Sequence, residues 1–142
     1  MTTAMSGVRP GTVIPPLEVE ADAQRMKVMA ALLADPNPIH FDTRALAALG
    51  MEERPVNQGP LNMGYLQTML ARWAGGRDRL LSFRVRFQGN VLAGDRVRAQ
   101  GQVTDVRDTE RGRVATCEIS LEVVGGSVAL SGAADVLLEE NR

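Results

Sequence analysis

The chain has a single histidine, His40, five residues after Asp35 in the segment ADPNPIHFD, residues 34–42. Imidazole titrates near neutral pH, and a carboxylate whose pKa is raised by burial can hold or deprotonate water. Such a pair suits moving a proton onto and off water. It suits equally well a helix cap beside a satisfied ring. Position along the chain decides whether the two can meet. In a continued helix, five residues place the side chains about 140° apart around the axis. Asp35 and Asn37, however, each precede a proline, and a residue before proline is steered out of the α region. The helix must therefore end near Asp35 and the chain must turn, so both side chains can converge on one small volume.

The elements that would position this pair follow from periodicity. Residues 1–16 are rich in Gly and Pro and read as an extended arm, and LEVEAD, residues 17–22, can begin a short strand. Residues 23–34 carry Met26, Met29, Ala30 and Leu33 at helical spacing. Pro36 and Pro38 stop that helix. A short helix is expected over 42–49, capped by Asp42 or Thr43 and stopped by Gly50. Residues 52–59 read as loop. A second helix is expected over 60–76, with Pro60 at its first position, a stripe of Leu66, Met69, Leu70 and Trp73, and the Gly75-Gly76 pair at its end. It is apolar around most of its circumference, so other structure should wrap it.

From residue 80 the period becomes two. Phe83, Val85 and Phe87 alternate with Arg84 and Arg86, and three further segments repeat the pattern through residue 137. Turn signals at Gly94-Asp95, RDTERG and Gly125-Gly126 separate them. This predicts an antiparallel meander of four long strands, each with one buried face. One long apolar helix and a sheet with one apolar face must bury each other. The fold class is α+β, a single hot-dog domain over residues 1–142, with a curved antiparallel sheet wrapped around a long central helix; a plain α+β sandwich is the alternative. An open edge strand would let two copies pair, which predicts a homodimer.

Composition narrows the function. A length of 142 residues suits one domain with a real core. The net charge of −1 argues against a nucleic-acid partner held by bulk electrostatics. Lys27 is the only lysine. Arg72, Arg77, Arg79, Arg84, Arg86, Arg96 and Arg98 crowd one region, either as a solvated sheet face or as a rim that holds an anion. Cys117 stands alone, so no intramolecular disulfide forms and a reducing compartment fits. It lies on an apolar strand face and reads as an inert thiol. One Cys and one His cannot build a zinc cluster, although carboxylates could hold Mg²⁺ or Ca²⁺. No stretch resembles a signal peptide or a membrane helix, so the expectation is a soluble cytoplasmic protein with no membrane partner. Serine-hydrolase elbows, phosphate loops and dinucleotide fingerprints are absent. Tyr65 and Trp73 read as core rather than substrate contacts.

ADPNPIHFD resembles the D-x-N-P-x-H signature of the MaoC-like dehydratases, the type 2, (R)-specific enoyl-CoA hydratases. PVNQGPLNMGYL falls where that family opens its central helix with an H-G-M-type turn. RFQGNVLAGDRV resembles its R-F-x-x-P-V-x-x-G-D strand entry. Ala34 replaces a usual glycine, Gln58 a usual histidine and Asn90 a common proline. The resemblance implies hydration of 2-enoyl thioesters to (3R)-3-hydroxyacyl products, with no metal and no organic cofactor; coenzyme A enters as part of the substrate. It implies Asp35 and His40 as the catalytic pair and Asn37 as the residue that orients their loop. It also implies Gly59 as the backbone donor to the thioester oxygen, with Gln58 and Asn57 beside it in the substrate site. An N–H at a helix start suits that role, because it carries partial positive charge where an enolate would form. Rival expectations are a dehydratase acting on acyl-carrier-protein thioesters, a thioesterase on the same fold, and one subunit of a heteromer with a second hot-dog chain. The last draws on a likeness to hydratases of bulky, steroid-type acyl groups.

Overall fold

A computed structural model describes residues 5–141; the first four residues of the expected arm, and Arg142, lie outside the described residues. The elements are β1 (Val13–Glu20), α1 (Ala23–Leu33), a 3-10 turn at Pro38–His40, α2 (Thr43–Ala48), α3 (Gly59–Ala74), β2 (Leu80–Phe87), β3 (Arg96–Asp108), β4 (Gly112–Val123) and β5 (Val128–Glu140). The strands form one five-stranded antiparallel sheet in the order β1-β3-β4-β5-β2, and α3 packs against every strand. This is the expected hot-dog arrangement.

The core lies between α3 and the concave face of the sheet. Leu66, Met69 and Leu70 of α3 meet Val97, Ala99 and Val103 of β3, Ala115, Cys117, Ile119 and Leu121 of β4, and Leu130, Ala134 and Val136 of β5. Period-two burial gives each strand its inner face. Register shifts interrupt every ladder, and such bulges bend and twist a sheet, which lets this one curl around a helix. Trp73 lies only partly buried at the edge of the core.

Three expectations are corrected. The first strand begins at Val13, not Leu17, and it contains Pro15 and Pro16. Proline cannot donate to a ladder, but β1 is an edge strand and its register breaks between Ile14 and Leu17, where the prolines sit. What remains of the arm is not free. Met5 and Val8 are buried in the core, and Arg113 donates to the carbonyls of both. The four-strand meander is also corrected. Only β3, β4 and β5 follow one another; β2 pairs with the far side of β5. The segment after β2 is too long for a tight hairpin and is held elsewhere. Leu92 bridges Val56, Ala93 N–H donates to Pro55, and Gly94 N–H donates to Ala21. That crossing segment ties the loop before α3 to the start of β3. Pro60 occupies the second helical position rather than the first, because α3 starts at Gly59.

The arginine-rich region does not form one rim. Arg96 and Arg98 pair with Glu18, and Arg98 also reaches Glu122. Arg79 donates to the carbonyls of Leu137 and Leu138.

Candidate functional site

The site starts where α1 stops. Asp22 caps its N-terminus through the Gln24 N–H, and Ala34 ends it in the left-handed conformation at φ 51°. This is where the motif usually has glycine. An alanine there costs about 1 kcal/mol of backbone strain. The N–H groups of Ala34 and Asp35 return to Ala31 and Ala30, closing the helix end. Asp35 Oδ1 then accepts the Asn37 N–H at 3.0 Å, and Asn37 Oδ1 accepts the Ile39 N–H at 3.3 Å. These two side chains shape the turn Pro38–His40. Asn37 thereby caps the turn that carries His40.

The turn swings His40 back over Asp35. His40 Nε2 lies 3.4 Å from Asp35 Oδ2. That is long for a direct hydrogen bond. The ring is buried, with its side chain 11% exposed, whereas the Asp35 side chain is 34% exposed. The other ring nitrogen, Nδ1, lies 2.7 Å from the carbonyl oxygen of Val56. A carbonyl only accepts, so Nδ1 carries the hydrogen and Nε2 is the nitrogen turned to Asp35. The Val56 carbonyl is the orienting partner that no sequence pattern revealed, since it lies 16 residues away and is a backbone atom. Val56 itself is fixed by its N–H to Ile39 O at 2.8 Å.

The Val56–Asn57 peptide leads directly into α3. Asn57 N–H donates to Val91 O at 2.7 Å. Gln58 is the N-cap, but its side chain makes no cap bond. The structure turns it away from the cleft: the residue is 1% exposed, and Nε2 donates to Met26 O at 2.8 Å. Gln58 therefore anchors the loop to α1, and the expected place beside the substrate goes to its neighbours. At the start of α3, Pro60 has no N–H, and the N–H groups of Leu61 and Asn62 both return to Gln58 O. The Gly59 N–H has no partner among the described residues. Phe87 covers this glycine, and a Cβ built there would come within 3.0 Å of its ring.

A cleft of about 490 Å³ opens at this point, with His40, Asn57, Gly59, Asn62, Phe87 and Asn90 in its wall. Asp35 is not itself in that wall; it stands beside the Nε2 edge of the His40 ring. The structure thus joins His40, Asn57 and Gly59 around one space, places Asp35 against the ring, and leaves Gln58 outside. Sequence reasoning passed over Asn62. The signal available was one carboxamide on the otherwise apolar inner face of α3, three residues after Gly59. Tyr65, read as core, is buried as expected, yet its hydroxyl accepts a hydrogen bond from Asn57 at 3.2 Å.

Comparison with known proteins adds to this geometry. Residues 9–124 match the family model of the MaoC like domain. No curated protein matches the sequence. Among solved structures, an (R)-hydratase from A. caviae involved in PHA biosynthesis is 30% identical, with 94% of this chain and 98% of that chain covered at a TM-score of 0.80. The unliganded R-hydratase PhaJ1 from Pseudomonas aeruginosa is 19% identical, covering 96% of this chain and 86% of that one at a TM-score of 0.80. The ChsH1-ChsH2 complex from Mycobacterium tuberculosis matches at 21% identity, covering 92% and 98% at a TM-score of 0.77. The last two share the fold.

Proposed function

This chain belongs to the MaoC-like domain family, and from that premise we propose that it is a hydro-lyase that reversibly hydrates 2-enoyl-CoA thioesters to (3R)-3-hydroxyacyl-CoA. The observation that carries this reading is that His40, with Asp35 against its ring, shares one cleft with the Gly59 N–H at the start of α3. The 30% identical relative is an (R)-hydratase, which supports the same chemistry and hand.

In this reading the thioester oxygen faces the Gly59 N–H. Water held between Asp35 and His40 attacks C3 as one of the pair removes its proton. Electron density moves onto the thioester oxygen as an enolate, which the Gly59 N–H and the positive end of α3 stabilise. A proton delivered to C2 completes the addition, so water is consumed and no redox change occurs. Val56 O keeps the proton on Nδ1, which leaves Nε2, the nitrogen beside Asp35, to exchange a proton with the water. No metal or organic cofactor enters, and coenzyme A is part of the substrate.

The unpaired outer edges of β1 and β2 are where a second copy, or a second hot-dog chain, would add to the sheet. Among the described residues no helix is long and apolar enough to cross a membrane; a cytoplasmic setting is part of the proposal. The test is a screen of 2-enoyl-CoAs from short chains to steroidal ones, following loss of the conjugated thioester absorbance and the hand of the product. Hydration to the (3R) alcohol is expected. Failure with every CoA and acyl-carrier-protein thioester, or release of free thiol instead, would overturn the reading.

A further inference from the structure

Besides Gln58, two carboxamides are buried at the start of α3: Asn57 and Asn62 are each 3% exposed. Asn57 Nδ2 donates to Asn62 Oδ1 at 2.7 Å and to Tyr65 OH at 3.2 Å. With its oxygen held by Asn57, Asn62 has only its NH₂ end left to offer. That Nδ2 has no partner among the described residues, although Asn62 lies in the cleft wall with Gly59 and His40. Helix geometry sets its direction. Gly59 and Asn62 are three residues apart and share a face, and helical side chains lean toward the N-terminus, over the preceding turn. The turn under Asn62 is the one that carries the free Gly59 N–H.

Asn57 Oδ1, like Oε1 of the anchoring Gln58, is buried without a partner among the described residues. Unmet buried acceptors are uncommon and concentrate where something beyond packing is required. Here one of the two belongs to the residue that orients Asn62. We propose that the Asn62 NH₂ is a second donor in the site, holding the thioester carbonyl oxygen together with the Gly59 N–H, while Asn57 and Tyr65 position it. The inference rests on the hydratase reading for its substrate. Its chemistry needs only a carbonyl oxygen at the helix start.

The decisive variant is Asn62→Asp, which keeps the shape and the acceptor for Asn57 but replaces the donor, read at mildly alkaline pH beside Asn62→Leu. Both are expected to lower kcat on crotonyl-CoA about 100-fold, with a smaller change in KM. A second measurement uses the unreactive thioester butyryl-CoA. Its carbonyl infrared stretch should fall on binding to the wild type and return toward the free value in Asn62→Asp. If Asn62→Asp stays within about twofold of wild type in rate and in stretch, the donor role is overturned and the hydratase reading stands. If the wild type hydrates nothing but the Asn62-dependent infrared shift is present, the hydratase reading falls and the donor pair stands. No shift in the wild type overturns the pair. Should Asn62→Asp fail to fold, Asn62→Gln displaces the same nitrogen; an unchanged rate would overturn the proposal.

Discussion

Two aspartates, Asp35 and Asp135, are surrounded in opposite ways. Asp135 lies on the outer face of the sheet, in a row across three adjacent strands. Its Oδ1 accepts the Thr116 hydroxyl at 2.7 Å, its Oδ2 accepts the Ser82 hydroxyl at 3.0 Å, and Arg107 stands 3.5 Å away. Partial burial pushes its pKa up, but the Thr116 and Ser82 hydroxyls and the charge of Arg107 outweigh this and hold it below the usual 3.8. Asp35 has one backbone N–H on Oδ1, and its other oxygen faces only an imidazole across a gap too long for a good bond. The carboxylate supplied by fixed donors holds strands together. The carboxylate left short of donors, beside the His40 ring, is the one to which the proposed reaction gives a role.

The comparison breaks first on activity. His40→Ala and Asp35→Asn should each lower hydration by about 10²–10⁴-fold, with circular dichroism unchanged, whereas Asp135→Asn should stay within about twofold of wild type. Equal losses at Asp35 and Asp135 would end the contrast. A smaller loss is expected for Gly59→Ala. The added methyl group would press on the Phe87 ring at 3.0 Å, and that ring is half-exposed and free to shift into the cleft mouth. About a tenfold fall in kcat/KM with little change in Tm is expected; unfolding instead would show that the contact is structural.

Stability sharpens the contrast from the other side. Because Asp135 is depressed when folded, its contribution is present above the unfolded pKa and is lost as pH falls through the folded value. Asp135→Asn should therefore cost about 1 kcal/mol at neutral pH and flatten the acid limb of stability, as read by urea titration at stepped pH. The smallest effect concerns Cys117, which faces the core from the strand position next to Thr116. Burial, and then the charge of Asp135, pushes its thiol up to about 12. Alkylation of the native protein should be negligible at neutral pH and should proceed only at the rate of global unfolding.

Much of this was legible in local pattern. The two prolines broke α1 where expected, and Asp42 capped α2 through the N–H groups of Arg44 and Ala45. The alternation marked the inner faces of β3 and β4, and of β5 from Leu130 to Val136; Val128, expected on the inner face, is exposed beside a register shift. Each of these depends on a residue and its near neighbours, which is the range over which backbone sterics and periodicity act. The resemblance in ADPNPIHFD pointed to Asp35 and His40 as a pair, and the fold brings them to 3.4 Å.

Other features depended on contacts between segments far apart in the chain. Alternation states that β2 is a strand, but not that it will close beside β5 rather than β3, because pairing partners are chosen by loop reach and by which faces bury together. Gln58 lies next to Gly59 in sequence, yet its amide is drawn to Met26 O, 32 residues earlier, and leaves the cleft. Val56 acts through a backbone carbonyl, which residue identity does not encode. Asn62 gained its meaning only when Asn57 was folded against it. The sequence by itself determined the elements and the turn that frees His40 from the helix. The tertiary structure alone decided which atoms face His40 and Gly59, because hydrogen-bond direction is settled by packing between segments rather than along them.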